Sequence, residues 1–413
     1  MGNVLKIIFL ITLLIFSPLG EIARIDFGGN TAITMLDLGV GVLSIIWFLG
    51  YLVKKNKQQF ILAKPLLIFI SICLVSLLLQ ITKLKQQELI VSFLYLIRWV
   101  GYAGIYFAVA SFDKVFKKKI VYCMVIAGSL IVLTGYLQYF LYPNLRNLEY
   151  LGWDVHLYRM FGSFFDPNFF GAFLVLYFMF LLSFVIARNE ANSSTKRTEI
   201  AALITALLLL LTFLTLIAIY LTYSRSAYLM FVISLVTFFV LKQKVKWLLI
   251  VMSVVCILGA LSFLFLNKHS EGTNLLRVNS AKARIGSSEN ALIIFERNPI
   301  MGVGFNAYRY AAKSYGFIHQ KQGQIDHGGA GADNSWLFVL ATTGIIGFLA
   351  YINLWVKIVP LFHCSVAKNP LYPLLLSSSV GLFVNAVFIN SLFYPLIMFW
   401  IWILVGLIEN TSL

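Results

Sequence analysis

The sequence predicts an all-α, polytopic transmembrane helical bundle of about twelve spans, with one large periplasmic loop carrying short helices. Three observations predict it. Of 413 residues, 60% are hydrophobic and only 12% charged, whereas soluble domains carry about a quarter charged residues. Apolar runs of about 20 residues recur along the chain, the length that crosses roughly 30 Å of hydrocarbon at 1.5 Å per residue. The short links between them alternate between lysine-rich and lysine-poor, which is how orientation is encoded. A mean hydropathy of +0.89 is too high for one core to hide, so lipid must be the solvent.

The spans run approximately 4–19, 31–52, 60–82, 89–112, 119–142, 165–187, 200–222, 226–241, 246–266, 335–358, 371–390 and 392–408. The first resembles a signal peptide in its apolar run after Lys6. It lacks a convincing small-x-small cleavage site, so it is expected to be retained as a helix. Within lipid every backbone polar group must be satisfied inside the segment, so strands are not expected.

Lys54, Lys55 and Lys57 mark one link as cytoplasmic, as do Lys114, Lys117, Lys118 and Lys119 in the next of that set. Arg188, Lys196 and Arg197, and then Lys242, Lys244 and Lys246, continue the alternation. Both termini then lie in the cytoplasm. This distribution accounts for the net charge of +16 without nucleic acid as a partner. The four cysteines, Cys73, Cys123, Cys256 and Cys364, form no CxxC and support neither a disulfide framework nor a zinc site. No metal or cofactor is expected. No HExxH, P-loop or GxGxxG occurs either.

Two outer segments are long, 143–164 and 267–334, and loops of that length are usually functional or disordered. The second is too rich in aromatic and aliphatic residues for disorder. Its "SSENALIIFERNP" reads as a short amphipathic helix capped by Ser287 or Ser288 and stopped by Pro299. "MGVGFNAY" reads as a turn and "HGGAGADN" as a flexible run before the tenth span.

The candidate functional residues gather at this face. Arg98 lies inside the fourth span, about nine residues or roughly 14 Å from its outer end, where a charge is costly. It either snorkels or faces a cavity. Arg225 occupies the tight turn between spans seven and eight. Arg159 precedes "MFGSFFDPNFFGAF", in which Asp166 reads as the cap of the sixth span. Arg284 begins the amphipathic segment and Arg297 ends it, as a C-terminal cap. Converging arginines suit a polyphosphate, because guanidinium binds phosphate oxygens in pairs and keeps its charge at any biological pH. His327, Asp326 and Asp333 precede the tenth span, where one could act as general base toward a sugar hydroxyl. Asp333 reads equally as the N-cap of that span.

"GSFFDPNFFGAFLVL", "LTYSRSAYL", "ARIGSSENALIIFERNPIMGVGFNAY" and "ADNSWLFVLATTGIIGFLAYI", in that order, resemble the O-antigen polymerase and ligase superfamily. The resemblance covers about residues 90–360. It implies a metal-independent integral-membrane glycosyltransferase of the bacterial cytoplasmic membrane. Its donor would be a glycan linked to undecaprenyl diphosphate, and a chain-length regulator would be a partner. The family's diphosphate-holding arginines would correspond to Arg159, Arg225 and Arg284, with Arg98 a looser match and Lys83 or Lys85 a further cation. The family usually reads His-Asn before the tenth span, and ligases use that histidine in catalysis. Here the pair is Asp333–Asn334, and the nearest histidine is His327. This departure favours a repeat-unit polymerase over a ligase. Some polymerases carry an arginine followed, eleven residues on, by a glycine in both long loops. Here Phe170 and Phe295 stand at those positions. A ligase, or a transferase acting on protein, is the second expectation. A transporter or flippase is the third, disfavoured because the halves show no internal repeat and the charges gather at one face.

Overall fold

A computed structural model describes residues 2–28, 31–53, 59–192, 199–244, 246, 248, 249, 253, 272–275, 278–317, 331–358 and 371–409. The chain is an all-α polytopic bundle. Its apolar helices are α1 (Gly2–Ala23), α2 (Met35–Val53), α3 (Ala63–Leu78), α4 (Gln86–Ala110), α5 (Lys114–Leu141), α6 (Pro167–Asn192), α7 (Glu199–Leu221) and α8 (Arg225–Leu241). After the long loop, with α9 (Asn279–Arg297) and α10 (Tyr308–Ser314), come α11 (Ser335–Ile358), α12 (Leu371–Asn385) and α13 (Pro395–Ile408). Seven are long and apolar enough to cross a membrane and four are shorter. These eleven fall on eleven of the expected spans. The expected ninth, 246–266, lies almost wholly outside the described residues.

Hydropathy alone does not place the helices within the bundle, but burial does. Over its apolar window α6 is 78% buried, whereas α7 is 11% buried. Phe170, Phe173, Tyr177 and Phe180 therefore face protein on all sides, and α7 offers its leucines to lipid. Trp400 of α13 receives the edges of Phe173, Tyr177 and Phe180, so α13 lies in the core against α6. Around them α12 packs on α8, α13 on α4, and α3 on α11.

Three local expectations change. A two-stranded antiparallel hairpin, β1 (Arg24–Gly28) with β2 (Thr31–Thr34), joins α1 to α2. Strands are excluded by lipid only within the spans, and this link lies between them. The loop helix α9 begins at Asn279, well before the serines expected to cap it. Within 279–286 Gly286 opposes a helix by only about 1 kcal/mol, and Ser287 is bonded to a distant segment instead.

The third change concerns α11, which is not continuous. Gly344 has φ 67° and ψ −171°, which only glycine adopts readily. The loop that follows α9 docks into the break. Val303 and Gly304 donate their N–H groups to Ala341 O (3.1 Å) and Thr342 O (2.9 Å), and Ile345 N–H donates to Pro299 O (2.9 Å). Ser76 Oγ donates to Met301 O (2.6 Å) and Gln80 Nε2 to Gly302 O (3.2 Å). Broken helices persist in membranes where protein re-satisfies the backbone, as this loop does. The expected turn "MGVGFNAY" is thus a plug. It ties the long loop to α3 and α11.

Candidate functional site

The site forms at the end of the bundle that carries the two long loops. Its first support is the turn between α7 and α8. Thr222 and Ser224 are fully buried, and Tyr223 takes a left-handed φ of 47°. The Ser224 hydroxyl caps α8 by accepting from Ala227 N–H at 3.4 Å. Arg159, only 5% exposed, holds this turn from the opposite side. Its Nε donates to Thr222 O (2.9 Å), and one Nη donates to Tyr223 O (3.4 Å) and Asn168 Oδ1 (3.3 Å). Ser224 Oγ donates to the same Asn168 oxygen at 3.0 Å. Arg159 therefore fixes the turn that presents Arg225, the first residue of α8.

Asp166 caps α6 as its sequence position predicted. Its Oδ1 accepts from Asn168 N–H (2.6 Å) and Phe169 N–H (3.2 Å). The other carboxylate oxygen lies 4.0 Å from His156 Nε2. His156 has φ 44° and was not singled out from the sequence. Only the folding of loop 143–166 back over α6 brings the two together.

Arg284 meets Asp166 electrostatically from α9. Burial pushes the Arg284 pKa down; Asp333 and Asp166 oppose that shift, and Arg225 adds to it. Two guanidiniums and two carboxylates from four separate chain segments thus share one site. Among the described residues, neither the Arg225 nor the Arg284 guanidinium makes a hydrogen bond or an ion pair. Arg284 stays charged despite the shift, since guanidinium starts from above 12.

Asp333 reaches this cluster through its backbone. Its N–H donates to Ser287 Oγ at 3.0 Å. Ser287 lies three residues beyond Arg284 and hence on the same helix face. Tyr308 donates its hydroxyl to Ser287 O (3.4 Å). Burial, with the Asp333 charge, pushes the Tyr308 pKa up to about 12. The cap of α11 is Asn334, whose Oδ1 accepts from Trp336 N–H (2.9 Å) and Leu337 N–H (3.0 Å). Asp333 therefore does not serve as that cap, and its charge acts on Arg284. His327 and Asp326 lie outside the described residues.

Arg98 is held by a different network. Its Nε donates to Asp37 Oδ1 at 2.7 Å, and Tyr102 OH donates to the same oxygen at 2.7 Å. The other Asp37 oxygen accepts from Thr34 N–H and Oγ, each at 2.9 Å. The Tyr95 ring lies 5.6 Å from the guanidinium carbon. Asp37 is 8% exposed, so this is a buried pair. Sequence reasoning missed Asp37, and the signal available was a lone carboxylate at the start of an apolar span. Next to it, Arg24 pairs with Glu21 (3.3 Å) and Asp26 (2.7 Å) and lies over Trp153. Arg297 lies in the last turn of α9, 4.6 Å from the Tyr315 ring centroid. Lys85 is the N-cap of α4, its backbone N–H donating to the Glu88 carboxylate at 3.0 Å. No group of three or more His, Cys, Asp or Glu side chains suited to a metal occurs among the described residues. Cys73 and Cys123 are free thiols.

Residues 210–352 match the family model described as O-Antigen ligase. The match supports the resemblance to the O-antigen polymerase and ligase superfamily, and with it a membrane-embedded glycosyltransferase-type enzyme. No curated protein matches the chain. The matched stretch contains Arg225, Arg284, His327 and Asp333, and leaves out Arg98 and Arg159.

Proposed function

Taking the O-antigen ligase family match as premise, we propose that the chain polymerises lipid-linked polysaccharide repeat units. The reaction would take place at the outer face of the bacterial cytoplasmic membrane, with both chain termini in the cytoplasm. One observation carries the reading. Arg225 and Arg284 are brought together without partners of their own among the described residues, beside Asp333 and Asp166. Asp333 and Asp166 offset part of the repulsion between the two guanidiniums, but neither is hydrogen-bonded to them, so both guanidinium forks keep unused donors. A diphosphate fits that need, since each guanidinium can grip two phosphate oxygens.

In this reading the undecaprenyl-diphosphate donor lies on Arg225 and Arg284. A hydroxyl of a second carrier-linked unit attacks the anomeric carbon from the face opposite the diphosphate. Its proton passes to Asp333, with His327 the other candidate base. The bond from the anomeric carbon to the diphosphate oxygen breaks, and its electron pair stays on that oxygen. The two guanidiniums stabilise the charge that develops there. The anomeric centre inverts. Arginine supplies the positive countercharge for the leaving diphosphate, so the reaction as written is metal-independent and uses no cofactor. Arg159 positions Arg225 through the turn it holds, and Arg98 supports the neighbouring wall through Asp37.

The test is complementation of a polymerase-deficient strain. Arg225→Ala and Arg284→Ala, at normal protein levels, are expected to give single repeat units and no ladder of longer chains. Full-length polymer from both variants would refute the clamp.

A second reading is favoured by the description of the matching family itself. On it the glycan passes to lipid A core or to protein. Incubating the purified chain with carrier-linked glycan and each acceptor separately decides between the two. Longer carrier-linked chains mark the polymerase, and glycan on core lipid or protein marks the transferase. A chain-length regulator as partner belongs to the polymerase reading.

A further inference from the structure

The corner between α12 and α13 wraps the segment that carries Asp333. Ser335 N–H donates to Ala386 O (2.8 Å), Ser335 Oγ donates to Ile389 O (3.3 Å), and Leu392 N–H donates to Ser335 Oγ (3.2 Å). Trp336 Nε1 donates to Phe383 O at 3.1 Å. On the other side of the same segment, a Cβ on Gly331 would stand 3.4 Å from Asn390 Nδ2. The backbone groups of this corner are thus bonded in order, yet its side chains are not. Asn385 is fully buried, and both its Nδ2 and its Oδ1 lack a hydrogen-bond partner. Ser391 Oγ, also fully buried, and Asn390 Oδ1 lack one too.

Buried polar side chains are almost always bonded, because an unmade bond costs the full desolvation of the group. A primary amide with neither its donor nor its acceptor used is the extreme case. Three such side chains lie at the corner that bonds Ser335, two residues after Asp333, and they call for a ligand. Their chemistry narrows it. An amide offers two donors and two lone pairs, and a hydroxyl both donates and accepts. None of the three carries charge. A neutral ring with several hydroxyls, each of which also donates and accepts, satisfies such a set, and an anion does not. The cationic part of the site lies elsewhere, on Arg225 and Arg284.

We propose that Asn385, Asn390 and Ser391 form the acceptor-sugar subsite, binding hydroxyls of the incoming glycan beside Asp333. The proposal rests on the glycosyl-transfer reading and divides the site in two: charge recognition on α8 and α9 for the donor, neutral hydroxyl recognition at the α12–α13 corner for the acceptor. Sites built to bond a hydroxyl discriminate strongly by that bond, so this corner would also choose which sugar is extended.

The experiment uses the full chain in lipid nanodiscs with two separate probes. One is undecaprenyl diphosphate without glycan. The other is the single repeat-unit oligosaccharide, released from its carrier, of the strain's own polysaccharide, followed by saturation-transfer NMR. Asn385→Leu is expected to lose oligosaccharide binding and raise the acceptor KM at least tenfold while still binding undecaprenyl diphosphate. Arg225→Ala is expected to do the reverse. Unchanged oligosaccharide binding and acceptor KM in Asn385→Leu would overturn the proposal and leave ordered water as the partner of these groups. No oligosaccharide binding by the unaltered chain would overturn it too. Should Asn385→Leu lose both probes through misfolding, the smaller change Ser391→Ala decides by the same readouts. Retained diphosphate binding in Arg225→Ala would instead strike the donor clamp, and the oligosaccharide arm would still judge this subsite.

Discussion

Four arginines at the loop end of this bundle look alike in sequence, and the fold divides them into two pairs. Arg98 and Arg159 sit in the region before the family match, each bonded within the protein: Arg98 to Asp37, Arg159 to the carbonyls of Thr222 and Tyr223. Arg225 and Arg284 sit inside the match and, among the described residues, have no such partners. Charge alone does not separate the pairs. What separates them is whether another element supplies an acceptor. On the proposed function, a guanidinium already bonded to a carboxylate or to carbonyls organises the scaffold, and one with unused donors is available to an anion from outside.

The comparison breaks most plainly in activity. Loss of Arg225 or Arg284 to alanine should lower the transfer rate by about 100-fold to 1,000-fold, the scale of one lost charge-stabilising donor. Lysine at either position should restore only part of it, since paired contacts are lost. Rates come from single-turnover assays with carrier-linked glycan. Asp333→Asn should cost on the order of 100-fold in the same assay, as for loss of a general base, with undecaprenyl diphosphate still bound.

For the other pair the main effect should be on stability. Arg98→Ala strands the buried Asp37 carboxylate and should destabilise by roughly 3 kcal/mol, read as a fall in Tm in detergent. Activity per folded molecule should fall far less than for Arg225→Ala. Adding Asp37→Leu to Arg98→Met should recover much of the lost stability. If instead Arg98→Ala abolished transfer at full stability, the division of the arginines would be wrong. Gly344→Ala would set a Cβ against Ile300 O at a φ that alanine avoids. It should cost about 1–3 kcal/mol and loosen the plug at 299–304, raising proteolysis of the long loop. The smallest effect is expected from Asn334→Ala, which removes the cap of α11 at about 1 kcal/mol in the same melting assay.

Legibility differed by the range of the interaction involved. Apolar runs of span length are local, and eleven described helices stand where hydropathy put them. Asp166 was read as a cap because a cap is written in adjacent residues. Neighbouring residues misled in two places. Ser287 and Ser288 looked like helix starts, yet Ser287 lies inside α9 and bonds Asp333 instead. The tenth span read as one helix, although Gly344 breaks it, because the evidence for the break lies in Pro299–Gly304. The hairpin at 24–34 is not legible in the apolar pattern, because lipid excludes strands only within the spans. His156, Asp37 and Asn385 were not singled out at all, since their meaning lies in distant partners or in the lack of them.

The sequence by itself determined the solvent, the helical class and the placement of most spans. These follow from transfer free energies and charge, which each short segment carries alone. Only the tertiary structure decided which arginines are bonded and which stand open, that Asn334 rather than Asp333 caps its helix, and that three polar side chains beside Asp333 are left without partners. Those are questions of satisfaction. A donor or acceptor is satisfied or not by atoms tens or hundreds of residues away, so no local pattern can answer them.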